Sequence, residues 1–88
     1  MKLKYDFIVR EIVGEYVLIP MGESALKISG FLTTNAVGAT LMEELKEKRT
    51  HEQLLKRILE DFDVDEKTAS EDIEEFITLL KSHDFIED

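Results

Sequence analysis

The sequence contains no cysteine and no tryptophan, and it has a single proline. Without cysteine the chain cannot form disulfides, thiolate nucleophiles or cysteine-ligated zinc and iron–sulfur sites. No apolar run approaches the ~20 residues needed to span a bilayer. The N-terminal segment does not resemble a secretory signal, because Asp6, Arg10 and Glu11 interrupt its apolar residues. We therefore expect a cytoplasmic protein with no membrane partner.

The sequence also lacks the residue sets that catalysis requires. No glycine-rich phosphate loop is present, and the two histidines, His51 and His83, are isolated from each other and from any metal-binding pattern. A chain of 88 residues is expected to form one domain over residues 1–88, with little room for a deep active site. These features predict a protein that is not an enzyme and that needs no cofactor.

Basic residues are fewer than acidic ones, and the imbalance lies in the last third of the chain. The formal net charge is −9, and residues 58–88 hold twelve acidic residues against two basic ones, Lys67 and Lys81. Residues 1–32 are balanced, with four of each sign. An acidic surface repels the phosphate backbone, so nucleic acid is not an expected partner. A basic or amphipathic peptide is a better match.

The first third of the chain has the alternation and β-branched content of strands. Strands are predicted over residues 7–13, 16–20 and 25–32, and the first two are joined by a type II′ turn at Gly14 and Glu15. The short connections favour an antiparallel meander in which the first and third strands form the edges.

The remainder is predicted to form three helices. Asn35 is the expected N-cap of the first, with Thr33 and Thr34 as competing caps. Thr50 and Gln53 form a capping box for the second, and Asp65 caps the third, which runs to about Ser82. Together with the strands, this order predicts an α+β, winged-helix-like fold with a three-stranded antiparallel sheet followed by three helices. In the first helix the residues that fall close to one side are Val37, Thr40, Leu41, Met42 and Leu45, and the second helix carries Leu54, Leu55, Ile58, Leu59 and Phe62. The predicted core stripe of the third helix is Ala69, Ile73, Phe76, Ile77 and Leu80.

Two details of the first helix can be predicted. Gly38 costs a helix ~1 kcal/mol relative to alanine, so its presence indicates close packing at that position. The cations of residues 46–49 are expected to end the helix, because a helix C-terminus favours positive charge.

Residues 61–72 partly match a calcium-binding loop. Three aspartates alternate over residues 61–65, and Asp72 falls at the twelfth position. However, Glu66 occupies the position where the loop needs glycine for its sharp turn, and Asp65 suits a helix N-cap better. No metal site is therefore expected here.

The third strand and the third helix have features of a peptide-binding surface. An edge strand can pair with a further strand, and charged residues on the edge discourage such pairing. Residues 25–31 contain only one charged residue, Lys27. On the helix, Asp72, Leu79 and His83 share one flank beside the core stripe. The same features also fit a half-buried Leu79 and an edge covered by the chain's own terminus. The candidate peptide-binding residues are Ala25, Leu26, Lys27, Ile28, Ser29, Gly30, Phe31, Asp72, Phe76, Leu79 and His83.

Four segments, in their order and spacing, resemble a known family. They are Phe7-x-x-Arg10-x-x-x-Gly14-x-x-Val17-x-x-Pro20, residues 34–42, Arg49-Thr50-x-Glu52-x-Leu54, and Asp63-Val64-Asp65 followed by Ala69-x-x-Asp72-Ile73-x-x-Phe76-x-x-x-Leu80. The chain is similar in these segments to the pyrroloquinoline quinone biosynthesis protein D (PqqD) family, whose members are peptide-recognition domains of systems that modify ribosomally made peptides.

The resemblance implies a non-catalytic function. Domains of this family bind the leader of a precursor peptide, which adds as a strand to the third strand and packs against the third helix. They then present the peptide to a modifying enzyme, often a radical S-adenosylmethionine enzyme. The alternative function for this layout is a winged-helix DNA-binding transcription regulator, which the acidic third helix disfavours.

Overall fold

The computed structural model describes residues 1–23, 25 and 32–88. The predicted α+β, winged-helix-like arrangement is confirmed, with three helices packed on one face of an antiparallel sheet. The elements in chain order are β1 (Lys2–Leu3), β2 (Phe7–Ile12), β3 (Glu15–Pro20), β4 (Leu32–Thr34), α1 (Ala36–Glu44), α2 (His51–Asp61), α3 (Glu66–Ser82) and β5 (Ile86–Glu87).

Strands β2, β3 and β4 form the predicted antiparallel meander in that order. The third strand is described at Leu32–Thr34, later than the predicted start at Ala25. Ala25 is not in a strand: its N–H donates to the Gly22 carbonyl at 3.2 Å. Residues 24 and 26–31, which include most of the predicted strand, lie outside the described residues.

The β2–β3 hairpin turns one residue earlier than predicted. Val13 and Gly14 occupy the two central positions, with φ values of 46° and 81°. Two positive φ values define a type I′ turn, so the predicted type II′ turn at Gly14 and Glu15 is wrong. Glu15 instead begins β3, opposite Ile12. The left-handed conformation is unfavourable for a β-branched side chain, and the Val13 side chain is 99% exposed.

A second, two-stranded sheet joins the two ends of the described chain. Strands β1 and β5 pair antiparallel, with Leu3 opposite Ile86. The Leu3 N–H also donates to the Leu45 carbonyl at 2.9 Å, which ties this sheet to the end of α1. Strands of two residues carry no periodic signal, and the sequence analysis did not predict them. The small sheet closes one end of the core with Leu3, Phe85 and Ile86.

The predicted helix caps are confirmed. Asn35 accepts from the Gly38 N–H, Thr50 and Gln53 form the reciprocal capping box, and Asp65 accepts from the Thr68 N–H at 2.7 Å. The Thr68 N–H holds the pKa of the Asp65 carboxyl below its ordinary value.

The end of α1 differs from the prediction. The helix stops at Glu44, before the cations of residues 46–49. The guanidinium of Arg49 instead lies 3.4 Å from the carboxylate of Glu44 and 2.8 Å from that of Glu47. Arg49, whose positive charge was expected to favour the C-terminus of α1, is therefore paired with these two carboxylates after the helix has ended.

The core lies between the helices and the inner face of the meander. All five residues of the predicted α3 stripe are buried, and Leu41, Met42, Leu45, Leu54 and Ile58 join them. Leu59, by contrast, is 38% exposed. It lies about 100° around the helix from Ile58, beyond the stripe that faces the other helices.

Gly38 brings α1 against both β4 and α3. A Cβ atom at this position would lie 2.9 Å from the Thr34 Cβ and 3.0 Å from the Phe76 ring, and closer still to the Thr34 hydroxyl. Such separations leave no room for a methyl group. The close packing predicted for Gly38 is therefore confirmed, and it sets the separation of the two helices.

We expect Val13→Asn to stabilise the protein. Asparagine tolerates the left-handed conformation and suits the first position of a type I′ turn, and the exposed valine contributes no burial. The expected gain is about 1 kcal/mol, or a Tm increase of roughly 4–8 °C in a domain of this size. Thermal unfolding measures the effect, and Val13→Thr, which remains β-branched, is the control that should show no gain.

We expect Gly38→Ala to destabilise the protein, although alanine favours helices by ~1 kcal/mol. Overpacking a core costs about 1–3 kcal/mol, so a net loss of roughly 1 kcal/mol is expected in urea unfolding. The double variant Thr34→Ala/Gly38→Ala should recover part of the loss, because it removes the hydroxyl that the new methyl group would meet. A stable Gly38→Ala protein would contradict the close approach described above.

Candidate functional site

A cleft of about 280 Å³ separates the start of α1 from α3. One wall is the junction between β4 and α1, and the other is a stripe along α3. Its position follows from Gly38, since that residue determines how closely the two walls approach. The lining residues are Thr34, Asn35, Val37, Gly38, Leu41, Asp72, Glu75, Phe76 and Leu79.

The α3 wall comes from one face of the helix. Asp72, Glu75, Phe76 and Leu79 recur at spacings of three and four residues, so their side chains lie along a single stripe. Phe76 is nearly buried at 8% exposure and forms part of the floor, whereas Leu79 is 38% exposed. Leu79 is therefore an apolar group that the fold leaves accessible beside the cleft.

The opposite wall depends on the cap of α1. The Asn35 side chain accepts from the Gly38 N–H at 2.9 Å, which fixes the start of the helix directly after β4. This places half-buried Val37 and fully buried Leu41 across from the α3 stripe. The cleft is therefore lined by apolar and polar groups in similar measure, and part of its polar surface lies at the strand–helix junction.

The charged groups that line the cleft are both acidic. Asp72 is half-buried and Glu75 is exposed, and in the described part of the chain neither carboxylate forms an ion pair. Two unpaired carboxylates beside an apolar surface create a local negative potential. The cleft therefore favours an apolar group that is accompanied by positive charge.

The structure brings three of the predicted site residues to this cleft: Asp72, Phe76 and Leu79. His83 lies elsewhere, at the C-cap of α3, where its ring stacks on Phe85 with centroids 5.2 Å apart. Ala25 is exposed in the turn that precedes β4. The other six predicted residues, at 26–31, lie outside the described residues. A role for any of these eleven residues in peptide binding remains a prediction.

The sequence analysis missed the α1 wall as part of the site. Thr34, Asn35, Val37 and Gly38 were treated as a cap and a packing position, and they also line the cleft. The available signal was Gly38, since a glycine inside a helix marks a close approach of other groups. What approaches it could not be known until α3 was placed.

Strand β4 lies at the edge of the sheet, beside the cleft. Within the described ranges it pairs with β3 alone, so its other side has no neighbouring strand. Thr34 belongs to both features, because it ends β4 and lines the cleft. A strand edge and a partly apolar cleft therefore meet at one place on the surface.

The described residues offer neither a metal site nor a membrane-spanning helix. Over residues 1–23, 25 and 32–88, no group of histidine and carboxylate side chains is arranged to hold a metal ion, and residues 61–72 are no exception. Asp65, the third aspartate of that segment, caps α3 instead. No helix in the same ranges has the length and apolarity required to cross a membrane.

Comparison with known proteins extends these observations. The chain is similar in fold to a solved structure of TbiB1 in complex with the TbiA(beta) leader peptide, with a TM-score of 0.70 and 23% sequence identity. The similarity covers 99% of this chain and 95% of that one. A search of curated proteins finds no significant match. The sequence model of the family described as "Coenzyme PQQ synthesis protein D (PqqD)" matches residues 15–86, from β3 to β5, and the chain therefore belongs to the PqqD family.

Proposed function

We propose that this protein is a non-catalytic peptide chaperone. It binds the leader of a ribosomally synthesised precursor peptide by strand addition and presents that precursor to a modifying enzyme. The observation that carries the proposal is the partly apolar cleft, lined by two carboxylates, beside the edge of β4 in a chain of the PqqD family. The fold similarity to TbiB1, whose structure includes a leader peptide, supports the same function.

Strand addition binds a peptide through backbone hydrogen bonds, so this part of the affinity depends little on the sequence of the leader. The unpaired backbone groups at the edge of β4, and the residues 25–31 that precede it, would form hydrogen bonds with an extended leader. Alternate side chains of an added strand point to opposite faces of the sheet. One set would therefore face the helices, where the cleft lies.

The cleft supplies selectivity. Phe76 and Leu79 offer an apolar surface to a leucine-, isoleucine- or phenylalanine-sized side chain, whose full burial contributes about 1.5–3 kcal/mol. Asp72 and Glu75 would attract a basic residue close to that apolar anchor. His83 lies beyond the cleft on the same flank of α3 and would contact a leader that extends past it.

The partner enzyme in this proposal is a radical S-adenosylmethionine enzyme or another peptide-modifying enzyme. The family assignment supports a role in such a pathway, which is that of pyrroloquinoline quinone or of another modified peptide. The proposed place of action is the cytoplasm, where ribosomes release the precursor.

A DNA-binding transcription regulator is the alternative for a winged-helix-like fold, and charge argues against it. The exposed residues of α3 include Glu66, Glu71, Glu74 and Glu75, and its cations are Lys67 and Lys81. In a helix that enters a DNA groove, these carboxylates would face phosphates. No observation favours this alternative.

We expect Leu79→Asp to weaken leader binding at least about tenfold, because the new carboxylate would stand in the apolar wall beside Asp72 and Glu75. The measurement is fluorescence anisotropy of a labelled synthetic leader of the precursor encoded beside the gene of this protein. Leu59→Asp is the matched control, because Leu59 has the same 38% exposure on α2, away from the cleft. Equal losses of leader affinity in the two variants would show that the cleft is not part of the binding site.

We expect no salt-dependent binding to duplex DNA at micromolar protein concentration. The net charge of −9 and the acidic α3 oppose the counterion release that drives DNA binding. Anisotropy of a labelled duplex at two salt concentrations tests this expectation. Binding that weakens as salt increases would favour the regulator.

A further inference from the structure

The outer face of the meander, which points away from the helices, carries four aliphatic residues together with Arg10, Glu15 and Thr33. Ile8 lies opposite Ile19 across the β2–β3 pair, and Ile12 and Val17 project from the same face by strand alternation. Ile12 is 53% exposed, and the other three are half-buried. We call these four residues, together with Arg10, the outer patch.

The outer patch does not belong to the described core. The inner-face residues Phe7, Val9 and Leu18 pack with the helices, whereas Ile8, Val17 and Ile19 are not members of that cluster. An antiparallel sheet that exposes one face to water normally has polar residues on that face. Four aliphatic residues there are a pattern typical of a face that another protein covers.

Arg10 adds one positive charge to the patch. It lies between Ile8 and Ile12 along β2 and opposite Val17, and it is exposed. No carboxylate in the described part of the chain pairs with it. A partner surface that is apolar and carries an acidic group opposite Arg10 would satisfy both features.

The charge of the whole chain argues against a second copy as the occupant. A two-fold interface would bring together two subunits that each carry a net charge of −9. A different protein that offers an acidic group to Arg10 avoids this self-repulsion.

The patch is continuous with the proposed leader site. A leader added beside β4 would direct alternate side chains to the outer face next to Thr33, with Val17 one strand further along that face, while the others face the cleft. A protein seated on the outer face would then contact this domain and its bound peptide together. The partner that needs both contacts is the enzyme that modifies the precursor.

We infer that the outer patch is the docking surface for the peptide-modifying enzyme, through an apolar enzyme surface with an acidic residue opposite Arg10. The inference rests on the proposed function for the identity of the enzyme. It goes further by placing the enzyme on the sheet face opposite the helices. Side chains of the bound leader would form part of the surface that the enzyme contacts. The enzyme therefore binds the domain–leader complex more tightly than the domain alone.

The test uses the modifying enzyme and the synthetic leader encoded beside the gene of this protein. Enzyme affinity for the intact domain is measured by calorimetry with and without saturating leader, and leader affinity is measured separately by anisotropy. The variants are Ile12→Lys, which places a cation opposite Glu15, and Arg10→Glu. Leu59→Lys, on α2, is the control for loss of an exposed aliphatic residue. Thermal unfolding checks that each variant is folded.

We expect Ile12→Lys and Arg10→Glu each to weaken enzyme binding at least about tenfold. Leu59→Lys should bind the enzyme as the unsubstituted domain does, and Ile12→Lys should keep its leader affinity. Saturating leader should tighten enzyme binding to the unsubstituted domain by at least about fivefold.

Three results would overturn the inference: no enzyme binding by the unsubstituted domain, unchanged enzyme binding by folded Ile12→Lys and Arg10→Glu, or a domain dimer in sedimentation that Ile12→Lys abolishes. The last result would assign the patch to a second copy. Failure of the leader to bind the domain would instead contradict the proposed function. Enzyme binding without leader tests the outer patch separately, so the two failures are distinguishable.

Discussion

The close approach of α1 to β4 and α3 at Gly38 is the constraint on which the functional surface depends. Because this residue has no side chain, the Thr34 side chain and the Phe76 ring both reach the α1 backbone. The Asn35 cap starts the helix at the end of β4 and so places Gly38 at this contact. A bulkier residue would force the two walls of the cleft apart and separate the strand edge from the apolar stripe of α3.

Charge and apolar surface are distributed so that two faces of the domain suit different partners. The helical half holds the net negative charge, and Asp72 and Glu75 bring part of it to the cleft. The outer face of the sheet comes from the balanced part of the chain and presents aliphatic residues around Arg10. Strand β4 lies between the two faces, so a peptide paired with it would contribute side chains to both.

Local signals predicted those parts of the fold that local interactions determine. The N-caps at Asn35, Thr50 and Asp65 were correct, because a cap is a contact between residues three positions apart. The α3 core stripe was correct because helical periodicity groups its residues on one face. The resemblance to the PqqD family likewise depended on spacing along the chain, and the family match confirms it.

Predictions that depended on distant contacts were less successful. The Val13–Gly14 turn follows from the pairing register of β2 with β3, and the early end of α1 accompanies ion pairs of Arg49. Strands β1 and β5 exist only because residues at the two ends of the described chain meet. Helical spacing placed Asp72, Phe76 and Leu79 together on α3, but Glu75 and the α1 wall were not predicted to join them, because the position of the cleft depends on the packing of two helices.

The sequence by itself determined the class of fold, the caps, the core stripe of α3 and the segregation of acidic charge, since each follows from composition or from spacing along one element. Only the tertiary structure decided that Gly38 faces Phe76, that Leu79 lies beside a cleft and Leu59 does not, and that Ile8 and Ile19 share an outer face. These relations join residues that are far apart in the chain, and the packing of whole elements brings them together.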